Sequence, residues 1–302
     1  MTITQLRYLV ALDKHKSFAK AANECFVAQP TLSLQIQKLE QEIGIELFDR
    51  KKNPVVTTTY GKEVVEQAKA VLREASKIET LAQKKSSEPL GTMSVGIIPT
   101  VASYLLPLLF PALKKAAPRL QVHYSELPTS EIIKKLGEES LDLGVLATPL
   151  HQKNLIELPL YYEEFLVYFP RTYKGKTKDL DWSDLNDEDM ILLSEDHCFR
   201  TQTLRVCGKA VTSHFECASL DTVKKIVDSN GGVTLLPELA LEKEMIGKVG
   251  RFQAPEPVRE VSLVYKTGFF KQHLLKAMQT AILGSIPEDF QSKKGRKLIG
   301  AV

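Results

Sequence analysis

Apolar residues in the first part of the chain recur at helical spacing in three short runs that are separated by tight turns. Ser17 can cap the second helix by accepting from free backbone N–H groups, and Pro30 suits the first turn of the third. The stretch 49–58 then indicates a turn between two β-prone flanks. Residues 1–58 therefore predict a small, mostly helical domain that carries a wing.

The longest apolar pattern runs from about Thr58 to Lys85 and has the four- and three-residue steps of a heptad seam. Its members are Val64, Ala68, Val71, Ala75, Ile78 and Ala82. A lone helix of this length has no globular body to cover such a seam, so we expect the same helix of a second copy to cover it. Packing of the seam on the helix's own domain is the alternative. The stretch 86–91 contains Pro89 and Gly91 and indicates a hinge.

From residue 92 onward, candidate strands alternate with candidate helices. The strands are Met93–Ile98, Leu120–Leu127, Leu141–Ala147, Phe165–Phe169, Met190–Leu193, His214–Ala218 and Val261–Tyr265, and the helices include Tyr104–Lys115, Ser130–Glu139 and Leu220–Ser229. This rhythm is typical of parallel sheets flanked by helices. The length suffices for two such units with a cleft between them. The basic stretch 293–297 is read as a solvated end.

Composition changes this picture in three respects. The formal net charge is +3, and the excess lies in residues 1–90, with 14 Lys+Arg against 11 Asp+Glu; a polyanionic partner or chance would explain it. No secretory signal pattern or membrane-length apolar run is present, so we expect a cytoplasmic protein without a membrane partner. Four cysteines are too few for a disulfide scaffold, and we expect thiols at Cys25, Cys198, Cys207 and Cys217.

The third helix carries an unusual polar face. Short or uncharged hydrogen-bonding side chains follow one another along it, and lysines flank them. The first kind suits base edges at the start of a recognition helix, and the second kind suits phosphates. The candidate DNA contacts are Gln29, Pro30, Thr31, Ser33, Gln35, Lys38, Lys51 and Lys52. A polar helix that faces solvent is the alternative, which composition alone favours.

The segment around Cys198 concentrates the chemistry of the second half. A helix is expected to start near His197, which places Cys198 in its first turn. The helix dipole, His197 and Arg200 would lower the pKa of this thiol, whereas Asp196 would oppose them. The sequence leaves the size of the shift open.

Cys207 follows Cys198 by nine residues. On one continuous helix this spacing is about 13.5 Å along the axis, whereas a disulfide needs Cα atoms about 4.4–6.8 Å apart. A disulfide between them would require the segment to unwind, which would make the pair a two-state switch driven by oxidation. Two unrelated core thiols are the alternative, and spacing alone favours it.

The first fifty residues resemble the LysR-type transcription regulators. The motifs lie between Phe18 and Arg50 and are Ala21-Ala22, Gln29-Pro30-Thr31-Leu32-Ser33, Ile36, Leu39-Glu40, Gly44 and Leu47-Phe48-Asp49-Arg50. The resemblance implies homodimers, usually homotetramers, on double-stranded promoter DNA, with RNA polymerase as a further partner. Ala28 departs from the usual serine of this family, so a helix cap and a phosphate contact are expected to be lost there.

The same resemblance extends over the whole chain and implies its domain organisation. An all-α winged helix-turn-helix domain would occupy 1–58, and a dimerisation helix with its hinge would occupy 59–91. An α/β effector domain over 92–302 would resemble periplasmic binding proteins. Its two Rossmann-like subdomains would be I, about 92–162 and 267–302, and II, about 163–266.

Motifs in the effector part resemble the members of this family that sense hydrogen peroxide. They are His197-Cys198-Phe199-Arg200 with Cys207, His214-Phe215, Ala218-Ser219-Leu220, Gly232-Val233-Thr234-Leu235-Leu236-Pro237 and Ile98-Pro99-Thr100. The resemblance implies that Cys198 is the peroxidatic residue and Cys207 the resolving one. It implies that Thr100, Thr129 and His197 bind hydrogen peroxide, that a cellular thiol reductant restores the thiols, and that no cofactor or metal is needed. Each threonine is equally plausible as a helix cap.

Some residues and functions stay open at this stage. Lys266 stands where the peroxide-sensing members can carry arginine, and Cys217 and Cys25 are read as core thiols. A LysR-type regulator of a small metabolite is the first alternative, although it would have no need of Cys207. A thiol peroxidase is the second, although the chain has no C-x-x-C motif and its DNA-binding helix has no role in an enzyme. A regulator that is not an enzyme is the favoured function.

Overall fold

The computed structural model describes residues 1–83, 89–186, 189–208, 216–241 and 248–301. The chain divides into two units, Met1–Lys85 and Ser86–Val302. Within the described ranges, no helix is both long enough and apolar enough to span a bilayer.

The N-terminal unit contains the predicted helices and the wing. Its elements are α1 (Ile3–His15), α2 (Phe18–Glu24), α3 (Gln29–Ile43), β1 (Phe48–Asp49), β2 (Val56–Thr57) and α4 (Thr59–Gln83). The Ser17 hydroxyl accepts from the backbone N–H of Lys20 and caps α2 as predicted. The strands β1 and β2 pair antiparallel as the wing. Ala28 precedes α3 without a side-chain cap, which confirms the predicted loss of that cap.

The apolar face of α4 lies in two environments. Val65 and Ala68 are buried in the hydrophobic cluster of α1, α2 and α3, whereas Ile78 is 71% exposed. The expectation that a second copy covers the whole seam is therefore wrong for its first part, because α4 packs there against α1 of its own unit. The exposed seam residue Ile78 remains the candidate for pairing with a second copy.

The C-terminal unit alternates strands and helices, as predicted. Its elements are β3 (Gly91–Ile97), α5 (Pro99–Ala116), β4 (Leu120–Glu126), α6 (Thr129–Gly137), β5 (Leu143–Thr148), β6 (Leu155–Tyr168), β7 (Leu192–Leu193), α7 (Cys198–Cys207), β8 (Glu216–Cys217), α8 (Leu220–Asn230), β9 (Thr234–Pro237), β10 (Val249–Gly250), β11 (Pro257–Lys266), α9 (Gln272–Ser285) and β12 (Lys297–Leu298). The first residues of the candidate strand His214–Ala218 lie outside the described residues, and so does the motif His214-Phe215.

The main sheet is mixed rather than parallel. Its strand order is β10-β6-β11-β5-β3-β4, with β9 also pairing with β6 and β12 with β11. The strand β3 is parallel to β4 and β5, as predicted, but β11 is antiparallel to both β5 and β6. The predicted strand Phe165–Phe169 is the end of the much longer β6. Pro159 lies at a register shift in β6, and a proline beside a bulge interrupts the pattern that identifies a strand.

Two hydrophobic clusters fill this unit, and β6 contributes to both. Tyr161 belongs to the cluster that β3, β5, α5 and α9 share, and Phe165 belongs to the cluster of β7, β9, α7 and α8. Cys198 packs against the first cluster, whereas Phe199 is part of the second. The start of α7 therefore lies between them. The predicted boundaries of subdomains I and II stay a prediction.

Candidate functional site

Cys198 is the first residue of α7, as the sequence predicted. The chain leaves β7 through a turn in which the His197 N–H donates to the Ser194 carbonyl at 3.1 Å. His197 is the residue that precedes the helix, and Arg200 N–H donates back to the His197 carbonyl at 3.0 Å. The Cys198 side chain is half-buried. The backbone N–H groups of Cys198 and Phe199 interact with the sulfur.

A small pocket brings the predicted peroxide-binding residues together. Three helices begin at it, and it is lined by Ile98, Pro99 and Thr100 of α5, Pro128 and Thr129 of α6, and Asp196, His197 and Cys198 of α7. Helix N-termini carry a partial positive charge and unpaired N–H groups, so their convergence favours an anion. The pocket is tight and leaves no room for a water-sized molecule. Entry of a small ligand would require a side-chain displacement.

The two threonines do not cap their helices. The cap positions belong to Ile98 for α5 and Pro128 for α6, neither with a side-chain hydrogen bond, so the alternative assignment of Thr100 and Thr129 as caps is wrong. Thr129 Oγ1 is buried and makes no well-directed hydrogen bond to any residue in the described part of the chain. Its interaction is with the Cys198 thiol, whose pKa it helps to lower.

The predicted causes of a lowered pKa at Cys198 are only partly right. Burial is the largest influence and raises the pKa of the thiol above its ordinary value. The charge of Arg259, the Thr129 hydroxyl and the backbone N–H groups at the helix start oppose burial, in that order. Neither His197 nor Arg200 is among these influences, and Arg200 Nη1 instead donates to the Leu193 carbonyl at 2.9 Å and lies 3.0 Å from Glu216 Oε1.

Arg259 on β11 is the functional residue that the sequence analysis missed. It is fully buried and donates to Thr100 twice, from Nη1 to Oγ1 at 3.0 Å and from Nη2 to the carbonyl at 3.1 Å. Its guanidinium carbon lies 4.8 Å from the ring centroid of Phe199. Lys266, which the sequence analysis put in the arginine position, instead donates to Gly137 O at 3.0 Å and pairs with Glu139 at 2.6 Å.

A sequence signal for Arg259 did exist. An arginine inside an apolar strand needs a buried partner, and Glu163 stands directly opposite it in the register of β6 and β11. To find this pair from the sequence, one would have to know that the two strands pair antiparallel and in which register. The register of these two strands is not visible in the residues of either strand alone.

Cys207 is the last residue of α7 and lies in a different environment. It is 6% exposed, in the second hydrophobic cluster, and it is reduced like the other three cysteines. The two thiols are therefore at opposite ends of one regular helix, which confirms the predicted separation of about 13.5 Å. Cys217 lies in the same cluster, and burial raises the pKa of its thiol. Burial also raises the pKa of the half-buried Cys25 thiol.

The C-terminal tail holds α7 in place. Gln202 Nε2, fully buried, donates to the Ile299 carbonyl at 3.0 Å, and Arg205 Nη1 donates to the Gly300 carbonyl at 3.0 Å. The tail is itself fixed, because β12 pairs in parallel with β11 and Ile299 N–H donates to the Val258 carbonyl at 2.8 Å. The basic stretch 293–297 is largely exposed, as predicted, and its last residue, Lys297, begins β12.

The candidate DNA-binding residues lie on one helix and the wing. Gln29, Pro30, Thr31, Lys38, Lys51 and Lys52 are exposed, and Ser33 and Gln35 are half-buried. The apolar face of α3 is buried at Leu32, Ile36 and Leu39. Gln35 is partly committed, because its Oε1 accepts from Gln5 Nε2 at 3.2 Å. The turn before α3 also presents Phe26, 95% exposed, which the sequence analysis did not single out.

The described part of the chain contains no candidate metal site. No group of three His, Cys, Asp or Glu side chains there is arranged to hold an ion. The pocket contains a thiol, two hydroxyls and an imidazole, and a buried guanidinium binds one of the hydroxyls.

Comparison with known proteins identifies relatives of both units. Residues 86–285 match the description "LysR substrate binding domain", and residues 3–62 match "Bacterial regulatory helix-turn-helix protein, lysR family". A hydrogen peroxide-inducible genes activator of Haemophilus influenzae is 38% identical over 275 residues, which cover 89% of this chain and 91% of that protein. The DNA-binding transcriptional dual regulator OxyR of Escherichia coli is 36% identical over 275 residues, 89% of this chain and 90% of that protein.

A solved structure covers nearly the whole chain as well. A full-length OxyR from Pseudomonas aeruginosa, in which a cysteine is replaced by aspartate, superposes with a TM-score of 0.75 at 34% identity. The match covers 94% of this chain and 98% of that one.

Proposed function

The chain belongs to the LysR family of bacterial helix-turn-helix regulators, and we propose that it senses hydrogen peroxide through Cys198 and Cys207 and regulates transcription of oxidative-stress genes. One observation carries this proposal. A tight pocket brings Cys198 together with Thr100, Thr129 and His197, and Cys207 is the last residue of the same helix. The similarity to hydrogen peroxide-inducible genes activators over most of the chain supports it.

The first chemical step takes place in the pocket. Arg259 and the Thr129 hydroxyl favour the thiolate of Cys198, which attacks one peroxide oxygen. The O–O bond breaks, hydroxide leaves and takes up a proton to form water, and the sulfur keeps the other oxygen as a sulfenic acid. The Thr100 hydroxyl and His197 hold the peroxide during the attack. Cys198 is the peroxidatic residue in this scheme.

The second step joins the two sulfurs. The Cys207 thiol attacks the sulfenic sulfur, an S–S bond forms, and its proton leaves with the hydroxyl group as a second water. Two electrons have then passed from the two thiols to one peroxide. Since a disulfide needs Cα atoms within about 6.8 Å, α7 must unwind for this step. A cellular thiol reductant returns both residues to thiols.

Unwinding of α7 has a structural consequence beyond the disulfide. It breaks the hydrogen bonds of Gln202 and Arg205 to the tail carbonyls and the contact of Arg200 with Glu216. These contacts tie α7 to β8 and to β12, so the oxidised form has a different surface around them. A change of surface in the effector unit is what alters the assembly of homodimers into homotetramers on promoter DNA.

The DNA-binding unit acts through α3 and the wing. Gln29, Thr31, Ser33 and Gln35 are proposed to contact base edges or phosphates, Pro30 starts the helix that presents them, and Lys38, Lys51 and Lys52 contact phosphates. The exposed end of the α4 seam at Ile78 pairs with a second copy. The regulator acts in the cytoplasm, where promoter DNA and RNA polymerase, its further partner, are found.

The alternatives to peroxide sensing lack comparable support. The two relatives named above are a hydrogen peroxide-inducible genes activator and OxyR, and neither is named as a metabolite sensor or a thiol peroxidase. The tight pocket beside Cys198 also suits a molecule of only two heavy atoms better than a metabolite.

Thiol trapping tests the proposal. The reduced full-length protein is treated with one equivalent of hydrogen peroxide, the remaining thiols are alkylated, and the peptides are mapped by mass spectrometry. We expect one disulfide, between Cys198 and Cys207, with Cys25 and Cys217 alkylated. Promoter footprints of the reduced and oxidised protein should differ. If Cys198 and Cys207 are both alkylated after the peroxide treatment, both remained thiols, and the proposal is overturned.

A further inference from the structure

A buried charge pair lies behind the Cys198 pocket. Arg259 and Glu163 stand opposite each other on β11 and β6, and their side chains are 1% and 0% exposed. Arg259 Nε donates to Glu163 Oε1 at 2.8 Å. The proposed mechanism uses the arginine and gives no role to the carboxylate, although burying a carboxylate without need is costly.

Glu163 is held from the side away from the pocket. Tyr104 Oη donates to its Oε1 at 2.6 Å, and the Leu239 N–H donates to its Oε2 at 3.3 Å. Tyr161 Oη lies 2.7 Å from Tyr104 Oη and donates to it, since the Tyr104 proton is already used. Burial raises the pKa of both tyrosine hydroxyls, so both stay neutral donors. Glu163 is thus fixed without touching any pocket residue other than through Arg259.

Arg259 does not depend on Glu163 alone for its position. Its two Nη atoms are bound to Thr100, and its guanidinium lies on the Phe199 ring. Loss of the carboxylate charge would therefore leave the guanidinium beside the pocket. What would change is the charge balance, because Glu163 cancels part of the attraction that Arg259 exerts on a thiolate in a poorly solvated interior.

Resting on the proposed function, we propose that Glu163 is a positioning residue that limits the peroxide reactivity of Cys198 by balancing the charge of Arg259. In this pair, the negative charge of Glu163 weakens the electrostatic attraction between Arg259 and the thiolate of Cys198. Cys198 is then less reactive than an unbalanced arginine would make it. Such a limit suits a sensor that should remain reduced at low oxidant levels, because a more ionised thiol reacts with more oxidants.

The substitution Glu163→Gln tests this role with little change of shape. The glutamine oxygen can still accept from Arg259 Nε and Tyr104 Oη, and only the long bond from Leu239 is lost. Oxidation of Cys198 in the full-length protein is followed by quenching and alkylation between about pH 6 and pH 11, a range wide enough to include the raised pKa of this thiol. We expect the midpoint of the rate profile to move down by about one pH unit or less. At neutral pH the rate should rise about twofold to fourfold, because the weaker nucleophilicity of a more acidic thiol offsets part of the gain.

The neighbouring substitution Glu164→Gln is the matched control. Glu164 points to the other face of β6 and pairs with Arg251 and Arg296 instead. It should leave the pH profile of the oxidation rate unchanged. A purely structural role of Glu163 would lower stability in Glu163→Gln and leave the profile where it was, and that result would overturn the proposal.

A double variant keeps the test valid if Glu163→Gln fails to fold. Arg259→Gln combined with Glu163→Gln removes both charges and leaves no unpaired ion in the interior. Relative to Arg259→Gln alone, the double variant should oxidise faster and at lower pH. Equal rates for the two would reject a role of Glu163 in reactivity.

The wild-type reaction separates the two proposals. If the wild-type protein forms the Cys198–Cys207 disulfide but the Glu163→Gln profile does not shift to lower pH, only the role of Glu163 fails. If the wild-type protein forms no such disulfide, the proposed function fails first.

Discussion

The two ends of α7 differ in almost every property that governs thiol chemistry. At the first end, Cys198 lies where three helices begin, beside a hydroxyl without another partner and within the field of Arg259. At the other end, Cys207 is buried in an apolar cluster where the helix terminates at Gly208. Helix N-termini favour a thiolate and C-termini disfavour it. The proposed function therefore assigns the reaction with oxidant to the thiol at the helix start and a later step, after the helix opens, to the thiol at its end.

Replacing each cysteine in turn should have the largest effect and should separate the roles of the two helix ends. Cys198→Ser should abolish the peroxide response, because the nucleophile is gone. Cys207→Ser should instead stop at the sulfenic acid, which a dimedone adduct on Cys198 detects by mass spectrometry. Equal behaviour of the two variants would contradict the separate roles.

Arg259→Gln should have the next largest effect. The burial that raises the pKa of the Cys198 thiol would then lack its main opposing charge, and Glu163 would be left unpaired. The oxidation rate at neutral pH should fall about tenfold, and the rate profile should move to higher pH. The protein should also lose about 3–5 kcal/mol of unfolding free energy. Lys266→Gln is the control, and a similar loss of rate there would be inconsistent with the assignment of Arg259.

The pH dependence of the wild-type protein has a definite sign. Because the pKa of the Cys198 thiol is raised by burial, the thiolate fraction at neutral pH is small and the oxidation rate should increase as pH rises. The same group affects stability in the opposite sense. At low pH the thiol is neutral in both the folded and the unfolded state, and it does not affect the free energy of unfolding. As the pH rises above the pKa of the unfolded state, the unfolded protein loses this proton first, so the free energy of unfolding decreases. A rate that is flat above about pH 6 would show a thiol with a lowered pKa instead.

Gln202→Leu should affect the second step rather than the first. It removes the donor to the buried Ile299 carbonyl, which costs the reduced form about 1–3 kcal/mol, and α7 would unwind more readily. The sulfenic acid should then be resolved about tenfold faster, with the rate of its formation unchanged. Thr201→Ala, on the exposed side of α7, is the matched control. A change in the first step alone would argue against the tail as a restraint on α7.

Cys217→Ala should have the smallest effect. The residue shares the apolar cluster with Cys207, and burial raises the pKa of its thiol. It has no counterpart of the Cys198 pocket, so peroxide consumption and disulfide formation should match those of the wild type. A slower appearance of the Cys198–Cys207 disulfide in this variant would mean that Cys217 takes part in the exchange.

Local patterns were sufficient for one part of the site and insufficient for the other. The cap at Ser17, the start of α7 after His197 and the nine-residue spacing of the cysteines are all set by residues close in sequence, and these predictions are confirmed. The prediction that Thr100, Thr129 and His197 lie together came from the family resemblance rather than from any pattern in the chain.

The missing half of the site depends on contacts between distant residues. Arg259 stands opposite its buried partner Glu163 because β6 and β11 pair antiparallel in one register, and the proline in β6 obscured the first of these strands. The residues after the basic stretch 293–297 were given no role, whereas in the structure the carbonyls of Ile299 and Gly300 bind α7 and the strand β12 pairs with β11. Hydrogen bonds to backbone carbonyls cannot be predicted from the pattern of side chains along the sequence.

Hydrogen–deuterium exchange of the full-length protein, before and after one equivalent of peroxide, tests the central claim most directly. The amides of residues 198–207 should be protected in the reduced protein and lose that protection in the fraction that carries the Cys198–Cys207 disulfide. A disulfide formed with the amides still protected, or no disulfide at all, would contradict the account.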